Sequence, residues 1–312
     1  MASYAIFLLS LILFSLSILL LSLSRSSLML VSFTSVGSFH RNININWGEE
    51  RAQILERGKL VTLTLDRFSG SGFRSKDEYL YGRVDMQLRL VPGDSAGTVT
   101  AFYLSSDEPE HDEIDFEFLG NVSGEPYIVH TNIYTQGNAG REMQFYMWFD
   151  PTLDFHTYTI IWNPERVIFM VDEIPIRVYT NHEKLGVPYT SRQPMRLYSS
   201  IWNADSWATQ GGNVKIDWSK APFTASYRNL KIDASVWSSS SSSSHVWSSS
   251  SSSSHSDDDD NDLPTRKLWT GHELDAVGKR NMQWVHKNYM VYNYCSDYSK
   301  YIHGIPLECM LD

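Results

Sequence analysis

Two kinds of residue are scarce in this 312-residue chain, and each scarcity excludes a class of protein. Only two cysteines are present, which excludes a disulfide-dense scaffold and a cysteine-rich zinc module. Positive charge is in the minority, because 26 Lys and Arg face 36 Asp and Glu and give a formal net charge of -10. A nucleic-acid-binding protein needs a basic surface, so we expect no nucleic-acid partner. The mean hydropathy of -0.29 excludes a multi-span membrane protein, whereas 42% hydrophobic residues suffice for a folded core.

The N-terminus contains the longest apolar run of the chain. Residues 5–23 carry no charge, and the first charged residue is Arg25. This length lies between the apolar core of a signal peptide and a membrane-spanning helix, and the serines within the run favour the former. We predict that residues 1–30 are a signal peptide, with a retained anchor as the alternative. The rest of the chain is then secreted, with no membrane contact after cleavage.

A secreted chain brings two expectations about covalent chemistry. Asn121-Val122-Ser123 is an N-glycosylation acceptor, so Asn121 is predicted to carry a glycan. In an oxidising compartment Cys295 and Cys309 are predicted to form a disulfide. Closing a loop of that length stabilises a fold by roughly 3 kcal/mol. The alternative is a pair of buried thiols.

Residues 59–231 alternate short β-rich runs with turn residues, and no helical period is sustained there. Strands are predicted at 60–65, 81–90, 99–104, 114–119, 127–133, 145–149, 158–162, 167–171 and 195–202. Many short strands with regular turns predict an all-β fold, an antiparallel β-sandwich of the jelly-roll, concanavalin-like type. The concave face of such a sandwich can hold an extended polymer.

The composition changes twice beyond this region. The unit Val-Trp, seven Ser and His occurs twice in residues 236–255, and residues 257–260 are all Asp. We therefore predict a jelly-roll domain at 31–234, a Ser- and Asp-rich disordered linker at 235–262 and a C-terminal extension at 263–312. In this extension a short strand is predicted at 292–295. One face of a predicted helix is formed by Leu274, Val277, Met282, Val285 and Tyr289.

The most informative segment is residues 111–120, which read His-Asp-Glu-Ile-Asp-Phe-Glu-Phe-Leu-Gly. Side chains alternate faces along a strand, so Glu113, Asp115 and Glu117 share one face, and the apolar residues between them face the core. Three adjacent carboxylates repel one another, which raises the pKa of at least one of them.

Two carboxylates facing one groove suit glycoside hydrolysis, because one can attack the anomeric carbon while the other protonates the leaving oxygen. The spacing of Glu113 and Glu117 does not by itself decide between a retaining and an inverting reaction. The alternatives are a solvated acidic strand or a Ca²⁺ site. Calcium, however, prefers acids on a loop that can wrap around the ion.

Residues 111–120 resemble the catalytic strand of glycoside hydrolase family 16. The resemblance runs from about residue 39 to 309, interrupted by the Ser-rich segment, and its sharpest marker is the C-terminal segment from 292 to 309. It implies that Glu113 is the nucleophile, Glu117 the proton donor and base, and Asp115 the carboxylate that orients and tunes the nucleophile. Other segments resemble the plant xyloglucan endotransglucosylase/hydrolases of that family, at 69–73, 90–100, 130–132, 198–205, 217–223 and 284–289.

The same resemblance implies a set of sugar-contacting positions. They are Glu117, His130, Thr131, Asn132, Gly140, Arg141, Glu142, Ser206, Trp207, Gly211 and Asn281. The sequence departs from the family at two of them, since Ser206 stands where Asp is usual and Asn281 where an Arg is frequent. Ser235 stands in place of a cysteine found in many members, so one disulfide of the family is expected to be missing.

The activity implied by the resemblance is retaining cleavage of the β-1,4-glucan backbone of xyloglucan and transfer to another xyloglucan chain. Segment 179–188 is similar to the short loop of transferring members, so transfer is favoured over hydrolysis. The alternatives are a xyloglucan endohydrolase and a non-catalytic polysaccharide-binding jelly roll. We expect a monomer that acts in cell wall construction and remodelling, in the wall or apoplast. Its partners are then xyloglucan donor and acceptor chains, with no cofactor and no metal.

Overall fold

The computed structural model describes residues 38–107, 109–237, 269–302 and 304–311. These residues include two helices, α1 (Phe39–Asn42) and α2 (Ala276–Tyr289). The strands in chain order are β1 (Ile43–Trp47), β2 (Ala52–Leu55), β3 (Leu60–Leu65), β4 (Ser71–Ser75), β5 (Tyr79–Arg89), β6 (Thr98–Ser105), β7 (Glu113–Leu119), β8 (Ile128–Tyr134), β9 (Met143–Tyr146), β10 (His156–Trp162), β11 (Arg166–Val171), β12 (Ile174–Thr180), β13 (Arg196–Asn203), β14 (Phe223–Val236) and β15 (Met290–Asn293).

The strands form two antiparallel sheets, as the predicted sandwich requires. The eight-stranded sheet, which we call the site sheet, has the order β1-β4-β13-β6-β7-β8-β9-β15. The seven-stranded sheet, which we call the back sheet, has the order β12-β11-β10-β5-β14-β3-β2. Strand β7 lies in the middle of the site sheet, hydrogen-bonded to β6 on one side and β8 on the other.

The core consists of aromatic and branched side chains from the inner faces of both sheets. Phe116 of the site sheet meets Phe169 of the back sheet edge to face, with 5.1 Å between ring centroids. Phe118 meets Tyr158 in the same way at 4.6 Å. Burying one such ring stabilises the fold by roughly 2–3 kcal/mol. These contacts therefore hold the carboxylate strand against the back sheet.

The predicted all-β fold is confirmed, and the nine predicted strands occur within a few residues of their expected positions. Strands β1, β2, β4, β12 and β14 were not among the predictions. Strand β4 contains Gly72, and the segment 70–72 reads as a turn in the sequence. Strand β14 extends through Val236, so Ser235 and Val236 belong to the back sheet, beyond the predicted domain boundary at 234.

The C-terminal extension completes one edge of the fold. Strand β15 pairs with β9, and α2 packs mainly against β12. Asp275 caps α2 by accepting a 2.7 Å hydrogen bond from the Gly278 amide. The predicted apolar face of the helix is correct for Val285, which is buried, but wrong for Val277, which is 51% exposed. Val277 lies in the first turn with its side chain toward solvent, although Leu274 just before the helix is buried.

Two predicted segments lie largely outside the described residues. The predicted signal peptide at 1–30 is one, and positions 238–262 of the predicted linker are the other. Within the described ranges, no helix combines the length and the apolar character needed to cross a membrane.

The predicted disulfide is present between Cys295 and Cys309, whose Cα atoms are 5.4 Å apart. Replacing both cysteines with serine should lower the free energy of unfolding by roughly 3 kcal/mol, because the closed loop restricts the unfolded chain. Chemical denaturation of the double variant and the parent protein measures the difference. The parent protein in reducing buffer is the matched control. Unchanged unfolding midpoints in both would contradict a stabilising bond.

Candidate active site

The carboxylates of β7 lie on the outer face of the site sheet, which is the face turned away from the core. The alternation predicted from sequence is confirmed by Ile114, Phe116 and Phe118, which are fully buried in the core. The strand register then fixes the neighbours of each acid. Glu113 lies opposite Ser105 and Tyr134, Asp115 opposite Tyr103 and Asn132, and Glu117 opposite Ala101 and His130.

Burial raises the pKa values of all three carboxyl groups, and mutual repulsion raises those of Asp115 and Glu117 further. Burial, followed by the charge of Glu113, raises the pKa of Glu117 to about 7. Asp115 is only 4% exposed, and its pKa is raised well above its usual range by burial and then by Glu117 and Glu113. Burial also raises the pKa of Glu113.

The surroundings of Glu113 and Glu117 differ in a way that separates their roles. Hydrogen bonds from Ser105 and Asp115 and the nearby His111 oppose the burial effect on the pKa of Glu113, so they favour its carboxylate form. No such contact opposes the raised pKa of Glu117. Of the two glutamates, Glu117 is therefore suited to donate a proton and Glu113 to attack as a carboxylate.

His130 is a neutral neighbour of the proton donor. Its Nδ1 accepts a 3.1 Å hydrogen bond from the Gln144 side chain, which leaves the ring proton on Nε2. Nε2 lies 4.0 Å from Oε2 of Glu117. Burial lowers the pKa of His130 to about 4, so the ring adds no positive charge beside Glu117 at neutral pH.

Aromatic rings flank the carboxylates on both sides. Tyr103 stacks on Tyr198 with 5.2 Å between centroids. Trp207 contacts His130 edge to face at 6.0 Å and lies 6.2 Å from Trp202. Such rings can stack against the apolar faces of pyranose units.

Several residues of this face were missed by sequence reasoning. Tyr103 reaches it through the pairing of β6 with β7, and Gln144 through the pairing of β9 with β8. Tyr198 reaches it one strand further out, through the pairing of β13 with β6. Tyr146 shares the face with Gln144, two residues away on β9, and is 41% exposed. Alternation within each strand was readable from the sequence, but the register between distant strands was not.

Sequence-predicted sugar contacts fall into two groups. His130 and Asn132 lie on the outer face beside Glu117 and Asp115, with Trp207 on a loop against His130. Ser206 and Gly211 lie on the same loop, between β13 and β14, as Trp207. Thr131 does not face the site. It is fully buried opposite Phe116, because strand alternation turns its side chain to the core between two outward residues, and its predicted sugar contact stays a prediction.

The segment from Gly140 to Glu142 is held by the C-terminal extension. The Arg141 guanidinium donates a 2.8 Å hydrogen bond to Glu308, Glu142 pairs with Lys300 at 2.7 Å, and the Gly140 carbonyl accepts from Tyr301. Asn281 lies on α2, which packs mainly against the back sheet, so nothing in the structure supports its predicted sugar contact.

Two further predictions concern modification and metal. Asn121 follows β7 in a turn, where its side-chain amide donates to the Pro126 carbonyl, and its glycosylation stays a prediction. In the parts of the chain that the structure describes, no group of three or more His, Cys, Asp or Glu is placed to hold a metal ion.

Comparison with known proteins gives two family matches. The model of glycosyl hydrolases family 16 matches residues 39–220. The model of the xyloglucan endo-transglycosylase C-terminus matches residues 264–309, which include α2, β15 and both cysteines.

Similar proteins agree with these matches. The chain is 56% identical over 276 residues to xyloglucan endotransglucosylase/hydrolase 2 of Glycine max, covering 88% of this chain and 90% of that protein. It is 56% identical over 273 residues to xyloglucan endotransglucosylase protein 7 of Diospyros kaki, covering 88% and 97%. Among solved structures, the apo Crh5 transglycosylase superposes with a TM-score of 0.51 at 26% identity, covering 63% of this chain and 80% of that one. The chain belongs to glycosyl hydrolase family 16 and, within it, to the xyloglucan endotransglucosylase/hydrolases.

Proposed function

We propose that this protein cleaves the β-1,4-glucan backbone of xyloglucan with retention of configuration and transfers the released segment to another xyloglucan chain. The observation that carries the proposal is the row of Glu113, Asp115 and Glu117 on one open sheet face, where the surroundings favour the carboxylate form in Glu113 rather than in Glu117. Membership of the family and the names of the similar proteins support xyloglucan as donor and acceptor.

In the first half of the reaction, Glu113 attacks the anomeric carbon of the donor. The glycosidic bond breaks as Glu117 gives its proton to the leaving oxygen, and a covalent glycosyl ester forms on Glu113. Asp115 keeps its proton because its pKa is raised, so it can donate a hydrogen bond to Glu113 and hold the attacking oxygen in place.

The second half reverses these roles. Formation of the ester removes the negative charge of Glu113, and with it the repulsion that raises the pKa of Glu117. Glu117 is now a carboxylate that accepts the proton of an acceptor hydroxyl. That hydroxyl oxygen attacks the anomeric carbon, the ester bond breaks, and Glu113 leaves as a carboxylate.

Transfer rather than hydrolysis requires that a sugar hydroxyl reaches the ester before water does. Trp207 and the neighbouring loop offer a stacking surface that raises the local concentration of an acceptor chain beside the ester. The connection from β12 to β13 contains only one short helical turn, at Glu183–Leu185. Its similarity to the short loop of transferring members supports the transferase over the endohydrolase.

We further infer that the protein works as a secreted monomer in the cell wall. The apolar leader and the disulfide between Cys295 and Cys309 support passage through an oxidising compartment.

The test uses purified secreted protein with xyloglucan and a labelled xyloglucan oligosaccharide. Incorporation of label into polymer and formation of new reducing ends are followed in parallel. Label in polymer with few new ends is the expected result. New ends without incorporated label would make the protein an endohydrolase. Neither signal from folded protein that still binds the polymer would favour the binding-module alternative.

A further inference from the structure

An arginine lies buried behind the carboxylate strand, and the reaction described above does not use it. Arg177 belongs to β12, at the edge of the back sheet, and is 1% exposed. A guanidinium carries its charge at every physiological pH, so full burial is costly unless it is compensated.

The compensation of Arg177 is incomplete. Its Nη1 donates to the Thr131 carbonyl at 3.0 Å and to the Thr131 hydroxyl at 2.9 Å. The guanidinium carbon lies 5.6 Å from the centre of the Phe169 ring and 5.9 Å from that of Tyr294. Its Nε and Nη2 atoms have no hydrogen-bond partner among the described residues. Two unmade hydrogen bonds in the core are unfavourable, so we expect the buried charge to have a role that offsets this cost.

The position of Thr131 shows what that role is. Thr131 lies on β8 between His130 and Asn132, which are the direct neighbours of Glu117 and Asp115. Arg177 therefore binds β8 from the core side, at the residues of β8 that pair with the carboxylate strand. Both described hydrogen bonds of its Nη1 run to this one residue of the site sheet.

The charge of Arg177 also reaches the cluster itself. Asp115 is subject to the repulsion of Glu113 and Glu117 on its own strand, with the polar rings of Tyr103 on β6 and Tyr134 on β8 beside it. Arg177, from β12, is the cation that acts most strongly on Asp115 among the described residues, and it opposes the repulsion.

We propose that Arg177 is a positioning residue for the transfer reaction: its bonds to Thr131 fix β8 against the catalytic strand, and its buried charge attracts the carboxyl group of Asp115. Tyr294 of the C-terminal extension covers the guanidinium and keeps water away from it. Electrostatic attraction to this charge is stronger where water is excluded. The inference rests on the proposed function for its kinetic test.

The test compares Arg177→Gln with Arg177→Lys in the full chain. Glutamine removes the charge and ends two bonds short of Nη1, whereas lysine keeps a positive charge. Neither side chain can make both hydrogen bonds to Thr131. Without the charge Asp115 binds its proton more firmly. Because the three neighbouring carboxyl groups repel one another and titrate together, both limbs of the pH profile of transfer should then move upward by about half a unit or more. Arg177→Lys should keep the parent profile while kcat falls about tenfold, because β8 is held less well.

Arg83→Met is the matched control, because Arg83 also lies in the back sheet but pairs with Asp85 and Glu173. Its pH profile should match that of the parent protein. An unshifted profile in folded Arg177→Gln would overturn the proposal. So would an equal shift in Arg177→Lys, because the charge would then not be the cause.

A second readout keeps the inference testable if the protein proves inactive on xyloglucan. The raised carboxylate pKa values stabilise the folded state at low pH, and this stability is lost as pH rises through them. In Arg177→Gln that loss should extend to higher pH than in the parent protein, as measured by denaturation between pH 4 and 8. Superimposable stability profiles would count against the charge of Arg177 acting on the cluster, whatever the substrate.

Discussion

Replacing Glu113 with alanine should reduce transfer from xyloglucan by at least about a thousandfold, because no other group can form the covalent ester. Asp115 lies on the same face, but it is almost fully buried and holds a proton, so it cannot substitute as nucleophile. Initial rates of label incorporation measure the loss.

Two comparisons separate loss of the nucleophile from loss of the fold. Glu125→Ala removes an exposed carboxylate from the turn that follows β7 and should leave the rate unchanged. Added azide should restore cleavage in Glu113→Ala, because the small anion can attack from the vacated side and form a glycosyl azide. Near-normal transfer without azide in the folded variant would contradict the assignment of Glu113 as the nucleophile.

Replacing Glu117 with glutamine should slow transfer from xyloglucan by about 10²–10⁴-fold, because the leaving oxygen then departs without a proton. A donor with an activated leaving group needs no such proton, so its first step should be nearly unaffected. Comparing rates with the two donors measures the difference.

The pH profile gives an independent check on Glu117. Its pKa is raised to about 7, so the parent protein should lose activity as pH rises through that region and the acid gives up its proton. In Glu117→Gln this alkaline limb should disappear for the activated donor. Equal losses with both donors, and a limb that persists, would assign the proton to another group.

The catalytic strand was predictable because its pattern is local. Alternation along residues 113–118 places the acids on one face and the apolar side chains on the other without reference to any other strand. The same reasoning places the Thr131 side chain in the core, since a residue between two outward neighbours on a strand faces inward.

Features that depend on distant pairing were not predictable. Tyr198 stands beside Tyr103 because β13 is inserted between β4 and β6, an order that nothing in the sequence of either strand specifies. Arg177 reads as an ordinary polar residue in a β-rich run, and only the packing of the two sheets places it behind Thr131. Val277 was assigned to the apolar face of α2 because periodicity does not reveal which positions of a helix contact the rest of the protein.

The place of β15 in the site sheet has a consequence for synthesis of the protein. The strand pairs Met290 with Phe145, so one edge of the site sheet is supplied by a segment made long after its partner strand. Until it arrives, β9 presents an unpaired edge, which is a template for aggregation. A chain cut short before residue 290 would therefore expose this edge and leave Arg177 uncovered. Synthesis must therefore proceed past residue 293 before the site sheet can close.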